Sequence, residues 1–219
     1  MGGSYKAVIF DLDGTLMDTL DDLHLSANHA LNHFGLPERS RDEVCSFVGN
    51  GVRKLMERAI PTDFPKERLD EVLSVFRTYY AAHCRDHSAP YEGIQALLQA
   101  LKKEGVKMAI VSNKPDKEVK QLNEEFFSDC ISVAVGENER ELGIPKKPSP
   151  KMLHVAMRQL NCQPSETLYV GDSDVDIQTA ANAGVACASV TWGFRSEQFL
   201  LSHGASLLLH HPKDLLTCL

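Results

Sequence analysis

No apolar run in the sequence approaches the roughly 18 residues needed to cross a bilayer, and Met1–Lys6 lack the basic and apolar regions of a secretory signal. Met1-Gly2-Gly3-Ser4 reads equally well as a cloning remnant or a native start. The six cysteines are scattered, with no two closer than 25 residues, which excludes a compact disulfide framework and a zinc site. Cys130 and Cys187 lie in apolar runs and are expected as small core residues. A reducing cytoplasm is the simple expectation. Basic residues are outnumbered, 23 against 30, for a net charge of −7. That balance argues against a nucleic-acid partner, which calls for a basic face. It leaves room for an anionic small molecule, because a pocket's local field can oppose the global charge. A bound divalent cation would also offset clustered carboxylates. The nine histidines show no ligand spacing, and neither a repeat nor a low-complexity segment stands out.

With 219 residues, the chain can build one sizeable core and a second small unit. Short apolar runs alternate with helical patterns, which predicts an α/β fold with a Rossmann-like parallel sheet. The expected strands are Ala7–Leu12, Lys107–Ser112, Ile131–Val135, Thr167–Gly171, Val185–Val190 and Ser206–Leu209. They are continuously apolar, as strands covered on both faces must be. Between the first two the pattern breaks. Leu16, Leu20, Leu23, Ala27, Ala30, Leu31 and Phe34 recur at helical spacing, and Gly35 and Pro37 end that helix. A second helical stretch carries Leu69, Val72, Leu73, Phe76, Tyr79 and Tyr80. The division expected is an all-helical insertion over residues 17–88, with 1–16 and 89–219 forming a discontinuous α/β core.

Acids gather at the expected strand ends. The first strand runs into Asp11-Leu12-Asp13-Gly14-Thr15, and side-chain alternation along it points Asp11 and Asp13 the same way. The carboxyl ends of parallel strands are where such sheets bind ligands. A strand ending in a polar turn is the competing reading. Gly171-Asp172-Ser173-Asp174-Val175-Asp176 repeats the arrangement before a helix that Gly184 ends. There an aspartate can simply cap the helix, and Asp174 is expected to do only that. Asp172 with Asp11 would make an oxygen-rich site suited to a hard cation such as Mg²⁺, with Asp176 supporting it from one turn further on. Ser112-Asn113 ends another strand, either as a turn or as a hydroxyl and backbone N–H groups that hold phosphate oxygens. Lys146-Lys147-Pro148-Ser149-Pro150 precedes the helix Met152–Leu160, with Ser149 as cap and Pro150 first in the helix. Lys147 can neutralise a phosphoryl group, and Lys146 reads as solvated.

Taken together, residues 6–200 resemble the haloacid dehalogenase superfamily of phosphatases, whose four motifs match Asp11–Thr15, Ser112, Lys147 and Gly171–Asp176. The resemblance implies a nucleophilic Asp11, an acid–base Asp13, and Mg²⁺ held by Asp11, Asp172 and the Asp13 backbone carbonyl. It implies phosphate binding by Thr15, Ser112, Asn113 and Lys147, and a cap domain in the helical insertion. The implied partner is a small-molecule phosphomonoester, with monomer or homodimer left open.

Three segments are similar to the phosphoglycolate phosphatase subfamily: Phe47-Val48-Gly49-Asn50-Gly51, Ser112-Asn113-Lys114-Pro115 and Thr191-Trp192-Gly193-Phe194-Arg195. By this resemblance Gly49, Asn50, Gly51 and Arg53 meet the substrate, with Arg53 on its carboxylate. Otherwise they form a loop between two helices. Trp192 is expected to be packing. The charged stretch Glu137, Glu139, Arg140, Glu141 departs from the smaller, more neutral loop expected of that subfamily. Rival readings are a sugar-phosphate mutase, pyrophosphatase or dehalogenase of the same superfamily, a receiver-type phospho-accepting module, and a phospho-ligand-binding protein.

Overall fold

The computed structural model of the protein describes residues 5–219; Met1–Ser4, and the question of their origin, lie outside the described residues. In chain order the elements are β1 (Ala7–Phe10), β2 (Met17–Asp18), α1 (Leu20–His33), α2 (Arg41–Phe47), α3 (Val52–Ala59), α4 (Leu69–His83), β3 (Ala89–Pro90), α5 (Ile94–Lys103), β4 (Lys107–Pro115), α6 (Asp116–Phe126), β5 (Val133–Glu137), α7 (Glu139–Leu142), α8 (Lys151–Leu160), β6 (Thr167–Gly171), α9 (Asp174–Ala183), β7 (Ala186–Val190), α10 (Glu197–Ser202) and β8 (Leu208–Leu209). The chain divides into two compact units, one of residues 5–16 and 90–219, the other of residues 17–89.

The first unit is built on a six-stranded parallel sheet ordered β5-β4-β1-β6-β7-β8. All four residues of β1 are fully buried, which a central parallel strand requires. Alternation sends Ala7 and Ile9 to one face, where they join Ala109, Val111 and Tyr169 in a cluster with Met152, Leu153, Ala156, Met157 and Leu160 of α8. A helix of ten residues is too short to hold itself in water. Burying each large side chain contributes about 1.5–3 kcal/mol, so α8 is held by its contact with the sheet. Register fixes the rim: Phe10 lies level with Ile110 and Val170. The stretches just beyond Phe10, Ile110 and Val170, which carry Asp11, Ser112 and Asp172, therefore emerge side by side.

Several boundaries differ from expectation. β4 continues past Ser112 to Pro115, because a bulge lets Pro115 pair with Glu137. β5 starts at Val133 rather than Ile131, and β8 keeps two of four expected residues. α8 begins at Lys151 with Pro150 at its cap, so Ser149 is not the capping residue. The cap of α9 is Ser173, in a reciprocal capping box with Asp176, and Asp174 is the first helical residue. Among the cysteines it is Cys162 that is buried, while Cys130 and Cys187 are half-buried. The charged stretch is ordered: Asn138 caps α7 and bridges to Ile144.

The second unit holds four helices. Leu23, Ala27, Ala30 and Leu31 of α1 and Val72, Leu73 and Phe76 of α4 are buried where the two helices meet. His29 stacks on Tyr79 at 3.9 Å. Buried Asp22 accepts from Ser88 Oγ (2.6 Å) and from the Ser88 and His87 backbone amides, tying the unit's last residues back to α1. α2 opens on a Ser40–Glu43 capping box. Among the described residues no helix is long and apolar enough to cross a membrane.

Candidate active site

Asp11 follows β1 directly, and its amide still bonds to Val170 O of β6 at 2.8 Å. The chain then turns sharply, with Leu16 N bonded to Leu12 O at 3.0 Å. Gly14 sits at φ +84° in this turn, and a Cβ there would strike the Asp172 carboxylate and the Phe194 ring. Only glycine satisfies both demands.

Lys147 reaches Asp11 from the segment before α8. Asn113 clamps the lysine's backbone: its Oδ1 accepts from Lys147 N at 2.6 Å, and its Nδ2 donates to Lys147 O at 3.4 Å. Both ends of its side-chain amide thus hold the Lys147 backbone to β4. The buried Lys147 Nζ lies 2.7 Å from Asp11 Oδ1 and 2.7 Å from Asp176 Oδ1. It also donates to Tyr169 Oη at 3.1 Å, and that phenol donates to Asp176 Oδ1 at 2.8 Å. Ser173 N and Oγ occupy Asp176 Oδ2. Asp176 is thus a fully buried counter-charge behind Lys147.

The loop after β7 secures the other side. Phe194 N donates to Asp172 Oδ2 at 2.7 Å, and Trp192 Nε1 donates to Thr15 O at 3.1 Å. A Cβ on Gly193 would fall on Gly14 O and the Asp172 side chain. Trp192, expected only to pack, also holds the Asp11–Thr15 turn. Thr15 itself is fully buried, and its Oγ1 has no hydrogen-bond partner. Ser112 Oγ accepts from Lys114 N at 3.2 Å, and Lys114 Nζ pairs with Asp13 Oδ1 at 3.2 Å.

Carboxylate oxygens of Asp11, Asp172 and Asp176 all lie within 4.8 Å of one another, and all three residues are buried. Burial raises the Asp11 carboxyl well above its ordinary value, reinforced by Asp176 and opposed by Lys147. Burial likewise pushes Asp172 up to about 7, with Asp176 adding to it and the Phe194 amide opposing. Burial alone would lower Lys147, but Asp11 and Asp176 outweigh it and hold the ammonium above its usual range. One lysine faces three carboxylates here, and the excess negative charge sits among oxygen donors alone. This donor set fits a hard divalent cation such as Mg²⁺.

In the helical unit, Gly49 and Gly51 have φ of +117° and +82° on either side of Asn50. Asn50 Oδ1 accepts from Arg58 at 2.8 Å. Arg53 pairs with Asp70 at 2.5 Å and Glu57 at 3.6 Å. Gly49, Asn50 and Gly51 lie in the loop between α2 and α3, whereas Arg53 is in the first turn of α3 and already has carboxylate partners.

The family model of haloacid dehalogenase-like hydrolases matches residues 8–190. The chain belongs to that family. Within the haloacid dehalogenase-like hydrolases it is a phosphatase of the phosphoglycolate phosphatase-like subfamily. It is 35% identical over 214 residues to a phosphoglycolate phosphatase of Aquifex aeolicus, covering 96% of this chain and 94% of that one. It is 32% identical over 222 residues to an N-acetylmuramic acid 6-phosphate phosphatase of Pseudomonas aeruginosa, covering 98% and 94%. A solved structure of a candidate phosphoglycolate phosphatase from Lactobacillus delbrueckii subsp. bulgaricus superposes with a TM-score of 0.91 at 35% identity, covering 97% of each chain.

Sequence reasoning did not foresee Tyr169, Lys114, Trp192 and Phe194 as site residues. Lys114, Trp192 and Phe194 stood in segments already noted for their similarity to the phosphoglycolate phosphatase subfamily. Tyr169 carried no signal, since an aromatic in an apolar strand reads as core.

Proposed function

We propose that this phosphatase hydrolyses a small phosphomonoester in a magnesium-dependent reaction through a phosphoryl-aspartate on Asp11. The contact of the Asp11 carboxylate with Lys147, amid Asp172 and Asp176, carries the reading. An Asp11 oxygen bonds to phosphorus as the ester O–P bond breaks, and Asp13 gives its proton to the leaving oxygen. Asp13 then takes a proton from water, whose oxygen bonds to phosphorus as Asp11 leaves. Lys147, Ser112, Thr15 and the backbone amides near Asn113 hold the phosphoryl oxygens. Mg²⁺, held by Asp11, Asp172 and the Asp13 carbonyl, supplies the neutralisation that lets one anion approach another. Residues 17–88, the helical insertion, act as the cap, with Gly49, Asn50, Gly51 and Arg53 toward the substrate.

For the substrate we favour a carboxylated phosphomonoester of the 2-phosphoglycolate kind. Relatives named for different substrates match at 35% and 32% identity, so identity alone does not choose between them. Phosphate release from an aryl phosphate, with and without Mg²⁺, tests the chemistry; Asp11→Asn should abolish it and the acid-stable phosphoenzyme signal together. Steady turnover by that variant excludes Asp11 as nucleophile. Comparing kcat/KM across a panel containing 2-phosphoglycolate and N-acetylmuramic acid 6-phosphate tests the narrower reading, and no preference for the former ends it.

A further inference from the structure

Lys114 is a buried lysine of the Ser112–Pro115 segment to which neither the four superfamily motifs nor the reaction described above gives a task. Its side chain is 6% exposed, so water solvates the ammonium poorly and a counter-charge must lie close. That counter-charge is Asp13 Oδ1, at 3.2 Å. The lysine's backbone is itself fixed, because its amide donates to Ser112 Oγ at the bulged end of β4. Lys114 therefore connects the strand end that carries Ser112 to the second aspartate of the turn after β1. An aspartate has two side-chain torsions, and a proton-transfer group a small distance out of place loses much of its advantage. An ammonium on Oδ1 restrains both torsions.

We propose that Lys114 is a positioning residue that orients the Asp13 carboxyl for its two proton transfers. The proposal rests on the acid–base reading of Asp13 given above. It sets a second lysine beside the phosphate-binding one, and the two divide the chemistry. Lys147 serves the nucleophile and phosphate, whereas Lys114 serves the acid and base. The expected signature follows from chemistry. A leaving group of low pKa, such as p-nitrophenolate, departs without a donated proton. An alkoxide does not. Impaired Asp13 geometry should therefore damage the phosphorylation step for alkyl phosphomonoesters far more than for p-nitrophenyl phosphate. With the activated ester, the damage should instead appear in the second step, where Asp13 deprotonates water, and phosphoenzyme should accumulate.

The test is a double-mutant cycle on the Mg²⁺-loaded full chain, using Lys114→Met, Asp13→Asn and the pair, with rapid-quench measurement of phosphoenzyme formation and decay. Lys114→Met should slow phosphorylation by an alkyl phosphomonoester roughly 10- to 100-fold, a fraction of what a general acid supplies. With p-nitrophenyl phosphate that step should change less than about threefold, and phosphoenzyme should accumulate. Lys114→Met added to Asp13→Asn should have no further effect, since the group it orients is gone. Lys114→Arg, which keeps the charge, should recover part of the loss. Equal losses for both leaving groups that multiply with those of Asp13→Asn would show a merely structural lysine and overturn the proposal. A raised KM for carboxylated esters with no leaving-group dependence would mean that Lys114 binds substrate, and overturns it too. Wild-type rates for Asp13→Asn alone would defeat the acid–base reading and the proposal together, whereas an impaired Asp13→Asn uncoupled from Lys114 defeats only the proposal.

Discussion

Replacing Lys147 by methionine should destabilise the protein in a pH-dependent way. The substitution keeps the length and apolar stem of the side chain but removes an ammonium 2.7 Å from Asp11 and 2.7 Å from Asp176. Breaking a buried ion pair by removing one partner costs about 3–5 kcal/mol, because the other charge is left uncompensated. In a chain of this size each kcal/mol moves Tm by about 2–4 °C, so a fall of about 6–20 °C is expected at neutral pH. The pH dependence follows from the carboxyls. Asp11 and Asp172 already have folded-state pKa values above the unfolded value of 3.8. A carboxyl raised in this way has its full stability below the unfolded pKa and loses it as pH rises through the folded one. Removing Lys147 raises Asp11 further. The Tm deficit of the variant should therefore be small near about pH 5 and large near about pH 8. Differential scanning calorimetry of metal-free protein at both pH values reads this directly. Adding Asp176→Asn to the variant should return part of the loss at the higher pH. An equal deficit at both pH values, or no recovery from Asp176→Asn, would show that lost packing rather than unpaired charge is responsible, and the electrostatic account would be wrong.

Raising the Asp172 carboxyl from 3.8 to about 7 corresponds to on the order of 4 kcal/mol of disfavoured charge, which a bound cation relieves. Mg²⁺ should accordingly raise Tm more at about pH 8 than at about pH 5; a pH-independent shift would remove Asp172 from the coordinating set. Gly171→Ala would drive a Cβ onto the Asp176 carboxyl, so a loss of about 1–3 kcal/mol by calorimetry and at least roughly tenfold in kcat is expected, and unchanged kcat would free Lys147 from dependence on Asp176. Arg53→Ala removes exposed pairs and should change stability by less than about 1 kcal/mol. If Arg53 meets a substrate carboxylate, the same variant raises KM for 2-phosphoglycolate but not for an aryl phosphate; equal KM changes for both count against that role.

The parallel sheet was legible because burial on both faces writes a continuous apolar run. Ala7-Val8-Ile9-Phe10 and Thr167–Gly171 are plain in the sequence for that reason. Edges were blurred. β8 has two residues, too few to show a period, and β4 outran its apolar run because pairing resumes after a bulge that hydropathy does not record. In the helical unit, α1 and α4 span 14 and 15 residues and show their periodicity over several turns. α2 and α3 span seven and eight, and two turns of mixed charge and apolar residues do not separate from loop. Asp174 misled because capping preferences name residue types, and where Ser173 and Asp174 stand side by side the backbone decides between them. At α8 the helix simply begins one residue later than a Ser149 cap requires, with Pro150 at the cap position and no side-chain bond.

The aspartates of the site were legible because acids at the ends of apolar runs are costly without a purpose. What surrounds them was not, because a hydrogen bond from a tyrosine or a backbone amide leaves no mark on composition. Yet a subtler signal was present in the glycines. A side chain on Gly14 would meet Asp172 and Phe194; on Gly193, Gly14 O and Asp172; on Gly171, Asp176. Each stands against an aspartate of the cluster, from three separated stretches of chain. Burying several carboxylates within one small volume requires backbone close to them on every side, both to supply N–H donors such as Phe194 N and to keep out bulk water. At these three positions only a residue without a Cβ allows that approach. Glycines neighbouring acids at strand ends are therefore part of the same electrostatic arrangement as the acids themselves. On that reasoning Gly193, rather than Trp192 beside it, was the residue in the Thr191–Arg195 segment whose physical necessity most directly tied that distant loop to Asp172.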